Sequence, residues 1–244
     1  DIVIDGAGYT IDGQNQASIF TISGNSHVVL KNINLVNAKG SDGAAISLTT
    51  GDNVEIFNSN FINNSASNNG GAIYIATTSS MTSTSSVSEY NFIIADSTFT
   101  SNTADNDGGA VYVNGANVGV FNTTFMSNVA GDDGGAINWM GSNGTIYNIT
   151  CIGNKGISID KPDGSTSSTR GGTICLTGSD VTISKSSFTS CSAWMDDGKN
   201  ASKVDGGALF ITGNNVDIID TTFNDCSSTH YGGAIYIIGD NTIV

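Results

Sequence analysis

Gly70-Gly71-Ala72-Ile73-Tyr74 is the stretch on which the fold turns, because it returns along the whole chain. Variants begin at Gly108, Gly134, Gly171, Gly206 and Gly232, with a weaker one at Gly43. The starts at 43, 70, 108, 134, 171, 206 and 232 differ by 27, 38, 26, 37, 35 and 26 residues, which reads as a unit of 26 to 27 carrying three insertions of about 9 to 12. The insertions are Thr77 to Glu89, Lys155 to Arg170 and Ala193 to Val204, polar stretches expected in loops. Residues 1–244 therefore read as a single repeat domain.

Each unit has two more landmarks. A turn of the type Gly115-Ala116-Asn117 follows the Gly-Gly segment, with counterparts at Gly51, Gly141, Gly178, Gly213 and Gly239. Then comes a run such as Val54-Glu55-Ile56-Phe57-Asn58-Ser59-Asn60-Phe61, whose third position is aliphatic in every copy (Leu30, Ile56, Ile94, Val120, Ile146, Ile183, Ile218). Its eighth position holds Leu35, Phe61, Phe99, Phe125, Cys151, Phe188 and Phe223, among sites that are mostly Ser, Thr, Asn and Asp. Alternation of period two marks half-buried strands. The Gly-Gly strand alternates likewise, with Ile46, Ile73, Val111, Ile137, Ile174, Leu209 and Ile235 facing in and Ser47, Tyr74, Tyr112, Asn138, Cys175, Phe210 and Tyr236 facing out.

A unit with three short strands cannot cover its own apolar face, so the units must stack like on like, about 4.8 Å apart. The expected fold is all-β: a parallel β-helix of about eight coils, right-handed because parallel crossovers strongly favour that hand. The alternative architecture is a β-propeller, which these units fit poorly, since its blades need about 40 residues and four antiparallel strands.

Composition narrows the function classes. Two Glu, five Leu, 31 Gly and a charged content of 12% exclude a mainly helical protein. A net charge of -14 repels phosphate backbones, which argues against nucleic acid as a partner. No apolar run approaches the roughly 18 residues of a membrane-spanning helix. The chain begins and ends in repeat-like sequence, which is the expectation for a segment of a longer rod.

The pairing of Gly-Gly-Ala-(Ile/Leu/Val) with Phe-x-x-Asn, as in Phe61-Ile62-Asn63-Asn64, Phe99-Thr100-Ser101-Asn102 and Phe125-Met126-Ser127-Asn128, resembles the repeats of chlamydial polymorphic outer-membrane proteins and of adhesin-like surface proteins of methanogenic archaea. The opening Ile4-Asp5-Gly6-Ala7-Gly8-Tyr9-Thr10-Ile11-Asp12-Gly13 is similar to the start of such archaeal β-helices. The resemblance covers nearly the whole chain. It implies a right-handed β-helix on a cell surface that serves in adhesion, and it transfers no binding residue. Cys191 and Cys226 depart from it by replacing the motif Asn, and Cys151 by replacing a motif Phe.

Read on their own chemistry, Asn64, Asn102, Asn128 and Asn154 recur at a strand end, where amides can bond from coil to coil as a structural ladder. Cys191 and Cys226 continue that column at about 5 Å spacing, within disulfide range, and stacked reduced thiols are the other reading. Cys175 reads as outward and Cys151 as inward, which argues against a zinc site. Asp105, Asp107, Asp132, Asp133, Asp196, Asp197 and Asp205 precede the Gly-Gly strands as turn formers, with Ca²⁺ held by Asp132, Asp133, Asp196 and Asp197 as the alternative. Arg170, the one arginine, reads as a solvated loop charge, and His27 and His230 as surface turn residues.

Tyr74, Tyr112, Phe210 and Tyr236 form an outward aromatic column suited to sugar rings or a protein partner. Asn63, Asn122, Asn143, Asn148 and Asn200 open Asn-x-Ser/Thr sequences compatible with glycosylation of a secreted surface. The expectation is thus an extracellular, non-enzymatic, cofactor-free adhesin or adhesin stalk. Its partners would be surface glycans or proteins of another cell, and neighbouring repeats of its own chain. A structural spacer is one alternative. The other is a polysaccharide lyase or glycoside hydrolase, for which Asp132 and Asp133 are the paired carboxylates.

Overall fold

The computed structural model describes residues 2–23, 27–49, 53–76, 90–158, 168–195 and 204–244. One coil shows the plan: strands Asn53–Phe57, Asn60–Ile62, Ser65–Ala66 and Ile73–Ala76 follow one another around the axis. Each pairs in parallel with its counterparts in the coils before and after, building sheets of eight, eight, seven and eight strands whose order follows the chain. The architecture is a right-handed parallel β-helix. Among the described residues no helix is long and apolar enough to cross a membrane.

The sequence reading has three strands per coil, and the structure has four. The additional strand is only two residues long, as at Ser65–Ala66 and Thr103–Ala104, too short to show an alternation. The corners of the coil are set by backbone conformation. Asn58, Asp96, Asn122 and Asn148 hold φ of 45°, 51°, 47° and 54° in one column, and Asn63, Ser101 and Ser127 hold 55° in the next. Asn and Asp tolerate this left-handed region, which explains their abundance at these sites.

Register carries like onto like. Ile56 lies between Leu30 and Ile94, and Phe99 between Phe61 and Phe125. The rings stack, with centroids 4.5 Å apart for Phe61–Phe99 and 4.9 Å for Phe99–Phe125. Each fully buried aliphatic or aromatic side chain stabilises by about 1.5–3 kcal/mol, so the ladders supply the main driving force. The second glycine of the repeat has a different task. A Cβ on Gly109 would lie 2.1 Å from the Gly135 carbonyl oxygen, and one on Gly135 would lie 2.2 Å from that of Gly172. Adjacent coils touch backbone to backbone there, which leaves no room for a side chain.

Trp139 is the largest fully buried side chain, in a column otherwise filled by Leu48, Ile75, Val113, Leu176 and Ile211. Gly144 makes room for it: a Cβ there would sit 2.3 Å from Trp139 Cζ2, whereas the neighbours of Gly144 in register are Val118 and Val181. The indole Nε1 donates to the Gly141 carbonyl at 2.8 Å, so its polar atom is satisfied in the core.

Candidate functional site

The interior column at the strand end is a continuous amide ladder. Asn64 Nδ2 donates to Leu35 O at 3.1 Å and to Asn102 Oδ1 at 2.9 Å, and Asn102 and Asn128 pass the same bond to Asn128 and Asn154 at 3.0 Å. Each Oδ1 also accepts a backbone N–H from the coil before, 3.0 Å from Ala38 N to Asn64 and from Asn102 N to Asn128. All four amides are fully buried and bonded to protein partners, as a structural ladder requires. Cys191 and Cys226 stand in the next two places of that column. Each thiol lies near one carbonyl of its own coil and one of the coil before, Cys191 Sγ 3.4 Å from Thr189 O and 3.8 Å from Cys151 O, and Cys226 Sγ 3.5 Å from Asn224 O and 3.6 Å from Phe188 O.

The residue before each Gly-Gly pair, and before Gly43, forms a second ladder of Asp42, Asn69, Asp107, Asp133, Arg170, Asp205 and Tyr231, in which Asp133 and Asp205 are buried. Side-chain oxygens accept the next coil's N–H here too: Asn69 N to Asp42 Oδ1 3.1 Å, Asp107 N to Asn69 Oδ1 3.2 Å, Asp133 N to Asp107 Oδ1 3.2 Å and Arg170 N to Asp133 Oδ1 2.9 Å. Arginine has no acceptor, so the run stops and the guanidinium folds back. Its Nε lies 3.1 Å from Asp133 Oδ1 and its Nη2 also bonds Asp133 Oδ2. The run resumes at Asp205, whose Oδ1 accepts from Tyr231 N at 3.2 Å and pairs with His230 Nδ1 at 2.8 Å.

The acidic corner is therefore more than turn chemistry. One carboxylate oxygen from each of Asp107, Asp132 and Asp133 lies within 4.8 Å of the others. Burial pushes the Asp133 carboxyl up to about 7, against the opposing pull of the Arg170 hydrogen bond and charge. Arg170 occupies both Asp133 oxygens, which disfavours a cation at that carboxylate. The expectation of a solvated Arg170 is corrected: it is in a strand with Thr169, ion-paired to Asp133, and lies 5.4 Å over the Phe210 ring. His27 opens a strand and is 3.3 Å from Glu55 Oε1, so it is not a turn residue. Asp196, Asp197 and Asn200 lie outside the described residues.

The aromatic column divides. Tyr74 and Tyr112 stack at 5.1 Å, half-buried, with their phenols pushed above the usual range by burial and then by neighbouring acidic groups. Phe210, expected open to ligands, is only 3% exposed, and Cys175, expected outward, is 0% exposed. Both are on the outward side of their strands, but Phe210 lies under the Arg170 guanidinium. Tyr236 remains accessible, stacked 5.5 Å from Phe210 and 6.1 Å from Tyr231. Tyr231 is 56% exposed and was missed by sequence reasoning, although it is the one aromatic residue in a column of Asp, Asn and Arg. Tyr231 and Tyr236 thus present an aromatic face, with the His230 ring 3.7 Å from that of Tyr231 and held by Asp205 Oδ1. Such a face offers ring stacking and polar hydrogen bonding together.

Asn63, Asn122, Asn143 and Asn148 all occupy exposed left-handed corners, with φ of 55°, 47°, 60° and 54°. Three belong to outer ladders: Asn148 Nδ2 donates to Asn122 Oδ1 at 2.9 Å, Asn122 Nδ2 to Asp96 Oδ1 at 3.0 Å, and Asn143 Nδ2 to Asn117 Oδ1.

Two stretches, residues 58–76 and 96–114, match the Chlamydia polymorphic membrane protein repeat. Each begins at a left-handed corner, Asn58 or Asp96, and ends with the Gly-Gly strand, so the match spans the Asn ladder and the glycine contact of two consecutive coils. The chain is a β-helix, and two of its consecutive coils are similar to this membrane-protein repeat. No curated protein and no solved structure matches it.

Proposed function

We propose that this β-helix is an extracellular adhesive or stalk segment, which binds surface glycans or proteins of another cell through its exposed side chains. The observation that carries the reading is the aromatic face of Tyr231 and Tyr236 with His230 against it, on a rod two of whose coils match a membrane-protein repeat. Weak contacts of this kind gain strength by repetition along a rod and between rods. The adhesin-like proteins of methanogenic archaea, which the repeats resemble, are the model for it. The test is a glycan-array and whole-cell binding screen of the purified chain, with and without Ca²⁺. Selective binding that is lost in Tyr231→Ala/Tyr236→Ala supports the reading, and absence of binding leaves a structural spacer.

A second reading, glycoside hydrolysis, has one observation in its favour: Asp107, Asp132 and Asp133 are clustered, and Asp133 has the raised carboxyl that a general acid needs. Engagement of both Asp133 oxygens by Arg170 opposes it. Reducing-sugar release from a bound glycan, abolished in Asp132→Asn/Asp133→Asn, would establish the hydrolase and displace the adhesin.

A further inference from the structure

Cys191 and Cys226 hold consecutive places in a column that the four preceding coils fill with asparagine. The strands beginning at Ser192 and Ser227 are paired in register, and Ser227 N donates to Cys191 O at 3.0 Å, so the two cysteines face each other across one coil step. That step is about 4.8 Å, inside the Cα separation of about 4.4–6.8 Å that a disulfide spans. The environments of the two sulfurs differ. Cys191 is fully buried, and Cys226 is half-buried. We propose that Cys191 and Cys226 form a dithiol redox site, which exchanges with small-molecule disulfides and whose oxidised form is a covalent rung between adjacent coils.

The chemistry is a balanced thiol–disulfide exchange. The Cys226 thiolate attacks an organic disulfide RSSR, forming a protein–SR mixed disulfide and releasing one RS⁻. Cys191 then gives up its proton and attacks the Cys226 sulfur, expelling the second RS⁻. Two protein thiols are oxidised, one disulfide is reduced to two RSH, and the two protons leave with them. Exposure sets the roles: Cys226 is half-buried and Cys191 is fully buried, so Cys226 is the sulfur that a small-molecule disulfide can reach. Cys226 is therefore the attacking sulfur and Cys191 the resolving one. Cys151 and Cys175 are fully buried with thiols pushed well up by burial, which excludes them as nucleophiles. This site is independent of whether the rod binds glycans.

The test uses the whole chain, reduced and then exposed to glutathione disulfide under native conditions, followed by acid quench, alkylation and peptide mapping. The expected result is loss of two of the four alkylatable thiols, a mass lower by two hydrogens, and one cross-linked peptide containing Cys191 and Cys226. In Cys191→Ser the reaction should stop at one glutathione adduct on Cys226. Cys226→Asn, which returns an amide to the ladder, should leave Cys191 fully alkylatable, and it guards against a serine variant that fails to fold. A wild-type chain that keeps a stable glutathione adduct with Cys191 still free, that cross-links Cys151, or that does not react at all would overturn the proposal.

Discussion

Asn128 shows how much one side chain closes. Its Oδ1 accepts from Asn102 N and Asn102 Nδ2, and its Nδ2 donates to Phe99 O and Asn154 Oδ1, all at 3.0 Å. Asn128→Ala removes four hydrogen bonds; Asn102 Nδ2 keeps Phe61 O and Asn154 Oδ1 keeps Asn128 N, while Asn102 N and Phe99 O lose the amide, and a buried group left without a partner costs about 1–3 kcal/mol. Relaxation recovers part of that, and a loss of about 3 kcal/mol or more in urea unfolding is expected; a loss under about 1 kcal/mol would show that the ladder is dispensable. Asp133 gives a pH signature. Its carboxyl is raised from 3.8 to about 7, so the folded chain binds more protons than the unfolded chain between those values. Its contribution to stability is therefore greatest below the unfolded value and falls as pH rises through about 7. Thermal melts across that window should show wild type losing stability relative to Asp133→Asn as pH rises, and parallel profiles would contradict the burial argument.

At the scale of the element, the coil step is fixed by what cannot fit. Gly109→Ala places a methyl 2.1 Å from the Gly135 carbonyl oxygen, and backbone cannot yield as a flexible side chain does. Overpacking of this sort costs about 1–3 kcal/mol or more, visible as a lowered melting temperature. The Trp139–Gly144 pair offers a compensated case. Gly144→Val alone should clash with the indole, and Trp139→Leu alone should open a cavity, each destabilising by about 1–4 kcal/mol. Together they recreate the Leu and Val of neighbouring coils, so the double variant should recover most of either loss. Simple additivity in the double-mutant cycle would refute the pairing. The Gly-Gly strands and the Phe strands were legible from period-two alternation, but the two-residue strands at Ser65–Ala66 and its counterparts were not. Two residues contain no period, and only the neighbouring coil reveals that they pair.

For the whole molecule, stacking turns single residues into columns, and function is read on the outside of those columns. Tyr231→Ala/Tyr236→Ala should abolish selective cell or glycan binding with a melting temperature close to wild type, since Tyr231 is 56% exposed and carries little of the core. The same substitution at Tyr74 and Tyr112 should leave binding at the Tyr231 face intact, because register places that pair several coils away. Equal losses from both pairs would mean that the ligand runs along the rod and does not dock at one end of the aromatic column.

The sequence by itself determined the repeat, the parallel stacking, the inward ladders and the Asn column, because each rests on identity recurring at a fixed interval, and identity is visible without coordinates. Only the tertiary structure decided what happens between columns. Arg170 lies in a strand, folds back on Asp133 and roofs Phe210; Tyr231 turns outward beside Tyr236; Asp107, Asp132 and Asp133 converge. These contacts are set by side-chain direction and corner geometry, whether they run between coils, as Arg170 to Asp133, or between columns of one coil, as Tyr231 to Tyr236. A linear period carries no information about either.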